Sequence, residues 1–97
     1  MSKWYHIIGQ EGHQGAGKSR EVELYMWGND ISEMLKKYRR IPRIKKGRNK
    51  IPDTRLLSSE ESSKLEEQII SERRVSIERA KKDYYLSPQS HNMIINT

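Results

Sequence analysis

Gly12-His13-Gln14-Gly15-Ala16-Gly17-Lys18-Ser19-Arg20-Glu21-Val22-Glu23-Leu24-Tyr25-Met26-Trp27 is a glycine-rich string that runs straight into an alternating one. The alternation decides the fold. From Glu21 to Trp27 polar and apolar residues repeat with a period of two, the spacing of a strand whose successive side chains leave opposite faces. Val22, Leu24 and Met26 form the predicted inward side, with Glu21 and Glu23 facing out. Upstream, Lys3 to Gly9 is rich in aromatic and β-branched residues and reads as a second strand. Trp4, His6 and Ile8 share one of its faces and Tyr5 and Ile7 the other, a two-sided apolar pattern that suits a central position. Two such runs joined by glycines predict an antiparallel hairpin.

The connection deserves its own test, because Gly12 to Ser19 fits G-x-x-x-x-G-K-[ST] letter for letter. That pattern works by wrapping backbone N–H groups around phosphates, with a helix beginning at the Lys-Ser pair. Here the Lys18-Ser19 pair leads into strand chemistry. No later apolar strand ends in an acidic residue to hold a metal, and the chain is too short for a multi-stranded parallel sheet. The expected role is a glycine-rich turn. Nucleotide binding at this loop is kept only as a remote alternative. Free amides at Gly15 and Gly17, with Lys18 and Arg20 beside them, offer a secondary contact for a nucleic-acid backbone.

Downstream, Gly28-Asn29-Asp30 is a turn that doubles as a helix cap. Ile31, Met34, Leu35, Tyr38 and Ile41 follow at helical spacing and predict one apolar stripe. Asp30 with Glu33 makes a capping-box pattern, and Pro42 ends the helix because the residue before a proline leaves the α region. The other helix face carries Lys36, Lys37, Arg39 and Arg40; the following loop adds Arg43, Lys45, Lys46, Arg48, Lys50 and Arg55. Only Asp53 opposes them. A dense run of one sign costs self-repulsion with no folding gain, so this stretch is the predicted binding surface for phosphates. Tyr38, or an exposed strand aromatic, is the candidate for stacking on a base.

Asp53 to Leu57 predicts a short third strand beside the first or second. Ser58 and Ser59 ahead of Glu60 and Glu61 predict a capped helix, acidic on its outer side through Glu60, Glu61, Glu66, Glu67 and Glu72. The periodicity stumbles at Glu72-Arg73-Arg74; Val75 and Ser76 look like a staple and a new cap for a helix running through Ile77, Ala80, Tyr84 and Tyr85, with one long kinked helix as the alternative. The expected architecture is α+β: one small domain over residues 1–87, a three-stranded antiparallel sheet with two or three helices packed on one face, and a flexible tail over 88–97.

With 97 residues and a net charge of +6, the chain holds one modest core and favours polyanionic partners. It has no cysteine, so a disulfide framework and thiolate zinc sites are excluded. The histidines His6, His13 and His91 have no matching carboxylate or ligand spacing, so neither catalysis, a metal nor a cofactor is expected. No apolar run approaches membrane-spanning length and no leader-like segment opens the chain, which predicts a soluble cytoplasmic protein without a membrane partner. The leading expectation is a non-enzymatic protein binding RNA or DNA. The alternative is an interaction module or accessory subunit of a nucleoprotein complex that docks its basic face on an acidic protein. No small-molecule ligand is expected.

Overall fold

Four strands, all antiparallel, and three helices make up the described part of the chain. The structure is a computed structural model and describes residues 2–11, 20–41 and 52–88. In chain order the elements are β1 (Lys3–Glu11), β2 (Arg20–Gly28), α1 (Ile31–Tyr38), β3 (Asp53–Leu56), α2 (Ser59–Glu72), α3 (Ile77–Lys82) and β4 (Tyr85–Leu86). The sheet order is β3-β1-β2-β4, so β1 is central, as its two apolar faces require. The hairpin register sets Trp4 opposite Trp27, Ile7 opposite Leu24 and Gly9 opposite Val22. β3 lies beside β1, with Arg55 opposite His6 and Leu56 opposite Tyr5.

Two features differ from the sequence expectation. The sheet has a fourth strand: Tyr85–Leu86 pairs with Leu24 and Tyr25 of β2 instead of continuing the last helix. α3 stops at Lys82 because the β-forming Tyr84-Tyr85-Leu86 run finds an open sheet edge there. The helices also divide between the two faces of the sheet. α1 buries Met34 and Tyr38, followed by Ile41, against Tyr5, Ile7, Val22, Leu24 and Met26. α2 and α3 bury Leu65, Ile69 and Ala80 against Trp4, Leu57 and Tyr85 on the opposite face, with Tyr25 and Trp27 packed alongside. A sheet whose middle strands are apolar on both sides needs a cover on both sides; Tyr25 and Trp27, alternating with the Val22-Leu24-Met26 set, were the signal.

The helix ends follow local chemistry. Ser58 accepts the Glu61 N–H through its hydroxyl at 3.2 Å while Glu61 accepts the Ser58 N–H at 3.0 Å, a complete capping box. Ser76 caps α3 by accepting the Arg79 N–H. Between them the chain turns at Arg73, whose φ of 56° is left-handed, so α2 and α3 are two helices and not one kinked rod. The tail expected over 88–97 lies, apart from Pro88, outside the described residues.

Candidate nucleic-acid interface

α1 is set by its cap and by three buried side chains. Asp30 accepts the Glu33 N–H at 2.9 Å, and Glu33 in turn accepts the Asn29 N–H at 2.9 Å, one residue earlier than a strict capping box. Beyond Tyr38 the chain closes with short-range bonds, Arg40 N–H to Lys37 O and Ile41 N–H to Tyr38 O, and Ile41 tucks under the sheet. Met34, Tyr38 and Ile41 form the buried edge, at spacings of four and three. Ile31, expected in the stripe, is 51% exposed and Leu35 is only partly buried. The stripe is therefore narrower than the sequence suggests, because an eight-residue helix on a twisted sheet touches it along one line.

Turning α1 this way leaves Lys36, Arg39 and Arg40 exposed to solvent. Among the described residues none of these three has a carboxylate within ion-pair distance. Most cations on the other side of the sheet are matched: Arg55 with Glu61 at 3.0 Å, Lys64 with Glu60 at 3.6 Å, Arg74 with Glu72 at 3.3 Å, Arg79 with Asp83 at 3.9 Å and Lys81 with Glu66 at 3.9 Å, while Arg73 and Lys82 stand exposed and apart from one another in the chain. Among the described residues, exposed cations without a carboxylate also occur singly at Lys3, Arg73 and Lys82, but only α1 and the turn that follows it gather three of them.

Lys37 and Arg55 leave the candidate surface. The Lys37 ammonium donates to the Trp27 carbonyl at 2.7 Å and to the Lys81 carbonyl at 3.1 Å, tying α1 to the end of α3, where exposed helix carbonyls favour a cation. Arg55 sits opposite His6, on the face that α2 covers, and so points away from α1. Arg43, Lys45, Lys46, Arg48 and Lys50 lie outside the described residues, as do Gly15, Gly17 and Lys18. Arg20 opens β2 opposite Glu11. The element after the Lys18-Ser19 pair is therefore a strand, without the helix N-terminus that a nucleotide phosphate loop uses.

The stacking candidate needs correction as well. Tyr38 is buried, and that burial raises its hydroxyl pKa above the ordinary tyrosine value, so its ring presents no face to a base. Among strand aromatics, His6 and Tyr25 are partly exposed on the α2 face, 5.0 Å apart between ring centres. Burial, then Glu23, raise the Tyr25 pKa, with Arg55 acting against them.

No match was found to any protein family, curated protein or solved structure.

The acidic helix proves to be less of a surface than its sequence suggests. Glu66 accepts the indole N–H of the fully buried Trp4 at 3.0 Å. Glu72 accepts the Tyr85 hydroxyl, and Glu61 belongs to the cap, whose backbone and Arg55 hydrogen bonds hold its carboxyl below the ordinary range. Of the five glutamates of α2, Glu60 and Glu67 remain on the outside without a bond into the fold. Among the described residues no group of three His, Asp or Glu side chains converges as for a metal, and no helix is long and apolar enough to cross a membrane.

Proposed function

We propose that this chain is a small non-enzymatic nucleic-acid-binding protein that grips the phosphate backbone of RNA or DNA through the solvent side of α1 and the basic residues that follow it. The observation that carries the reading is the contrast in pairing. Lys36, Arg39 and Arg40 stand exposed together without carboxylates, while Arg55, Lys64, Arg74, Arg79 and Lys81 each have a carboxylate beside them and the other unpaired cations, Lys3, Arg73 and Lys82, are scattered. Unpaired cations on a fixed scaffold attract a polyanion, and each phosphate they neutralise releases counterions. The sequence continues the same sign through Arg43, Lys45, Lys46, Arg48 and Lys50. Contacts of this kind position a backbone without reading bases. The protein works in the cytoplasm in this reading and needs no cofactor.

A second reading rests on Ile31. It is half exposed on the same helix, and an apolar residue close to unpaired cations suits an acidic protein surface with an apolar contact. Fluorescence anisotropy with generic duplex and single-stranded RNA and DNA separates the two. Lys36→Ala/Arg39→Ala/Arg40→Ala should weaken binding to every probe alike, whereas Lys64→Ala/Arg79→Ala on the opposite face should leave it unchanged. Equal losses from both variants would remove the α1 face from the proposal. Weak binding to every probe that the triple variant leaves unchanged would move it to the protein-docking reading.

A further inference from the structure

β3 is the edge at which the sheet stops: among the described residues no strand pairs with its outer side. The ladder fixes which groups it offers. The Leu57 N–H donates to the Trp4 carbonyl at 3.0 Å, so in this register Arg55 and Asp53 turn their backbone groups to β1 as well. Thr54 and Leu56 therefore direct N–H and C=O outward, and Pro52, at the next outward position, has no N–H to satisfy and a carbonyl that accepts the Thr54 hydroxyl at 2.9 Å and keeps a second lone pair. Leu56 is 46% exposed on this edge and its side chain lies on the α1 side of the sheet, beside Tyr5.

We propose that this edge pairs with the same edge of a second copy, antiparallel, about a two-fold axis through Thr54. Centred there, Thr54 and its symmetry mate exchange both backbone bonds, and each Leu56 N–H meets the Pro52 carbonyl of the other copy. Charge selects the register. Asp53 and Arg55 flank Thr54, so each Asp53 faces the other copy's Arg55, twice over, in the non-hydrogen-bonded sites where facing side chains come closest. Centring one residue earlier sets Asp53 against Asp53, and one later Arg55 against Arg55, both like-charged and disfavoured. Arg55 holds Glu61 through Nη1 alone and is more than half exposed, so its remaining N–H groups reach a second carboxylate.

The interface is isologous and closes on itself, and it turns a four-stranded sheet into an eight-stranded one. Its axis is normal to the sheet, which puts both α1 helices on the same side. The dimer does not depend on the nucleic-acid reading, but it would double the unpaired basic surface facing one way. Four residues of edge make a weak association, seen as a concentration-dependent mass.

Sedimentation equilibrium tests it on the full chain, from about 1 µM to about 1 mM, a range that spans weak association constants. The wild type should pass from one protomer mass towards two. Asp53→Arg and Arg55→Asp, each folded by circular dichroism, should each stay at one protomer mass, and an equimolar mixture of the two should recover the dimer. Should Arg55→Asp fail to fold beside Glu61, Thr54→Pro, whose lost N–H points away from β1, must be monomeric. A wild type at one protomer mass throughout overturns the proposal. So do single variants that dimerise like the wild type.

Discussion

Replacing Glu66 by Ala strips the acceptor from a tryptophan that has no other recourse. Trp4 is fully buried between α2 and the sheet, and its indole N–H points at the Glu66 carboxylate, 3.0 Å away. A buried donor left unsatisfied costs about 1–3 kcal/mol. The same carboxylate lies 3.9 Å from the Lys81 ammonium, which stands 4.2 Å over the Trp27 ring. That ion pair is about a third exposed on each side, so screening limits its further contribution to about 1 kcal/mol or less. A domain of this size has a urea slope near 1 kcal/mol per molar, so Glu66→Ala should lower the urea midpoint by about 1–3 M. Glu66→Gln keeps an acceptor and should lose less. The assay is urea unfolding followed by tryptophan fluorescence, run as a cycle with Trp4→Phe, which has no N–H to orphan. Glu66→Ala should cost markedly less in the Trp4→Phe background. Equal costs in the two backgrounds would refute the argument and return Glu66 to the solvated acidic surface its sequence suggests.

Other expectations concern the core and the helix ends. Met34→Ala, at a fully buried position, should cost about 2–5 kcal/mol in thermal or urea unfolding, while Ile31→Ala should stay within about 0.5 kcal/mol; similar losses would mean α1 is rotated from the position described. Arg73→Gly should raise the unfolding midpoint modestly, since the left-handed turn after α2 suits glycine, and a lowered midpoint would argue against that conformation. Glu61 governs an acid limb. Its folded pKa is lowered by the Ser58 N–H and Arg55, so the stabilisation is complete above the unfolded value of about 4.3 and is lost as pH falls through the folded value. Glu61→Gln should therefore flatten the stability profile between about pH 5 and pH 3; an unchanged acid limb would show that the cap is not formed in solution.

Much of this architecture was readable because it is local. The period-two run over Glu21 to Trp27, the Asp30 and Ser58 caps and the break at Ser76 each depend on neighbours within a few residues, and each lies where expected. What escaped was tertiary. Tyr85–Leu86 is too short to show a period and becomes a strand only because β2 has a free edge beside it. The division of helices between two faces was half visible in the two-sided apolarity of β1, yet Glu21 and Glu23 at the far end of β2 masked the Tyr25–Trp27 face. The candidate surface shows the same split. Dense charge on α1 was legible, whereas the loss of Lys37 to two carbonyls and of Arg55 to Glu61 depends on partners 10, 44 and 6 residues away. Glu66 is the sharpest case, since nothing local distinguishes it from Glu67.

The central claim is that α1 carries unpaired cations that contact phosphates, and the salt dependence of binding counts those contacts. Each phosphate neutralised adds about 0.9 to the slope of log K against log salt on B-form duplex and about 0.7 on a single strand. Lys36→Ala/Arg39→Ala/Arg40→Ala should flatten the slope by roughly 2–3 units on both, with the melting curve unchanged because none of these side chains leaves a core. A slope identical to that of the wild type, in a variant that folds normally, would contradict it.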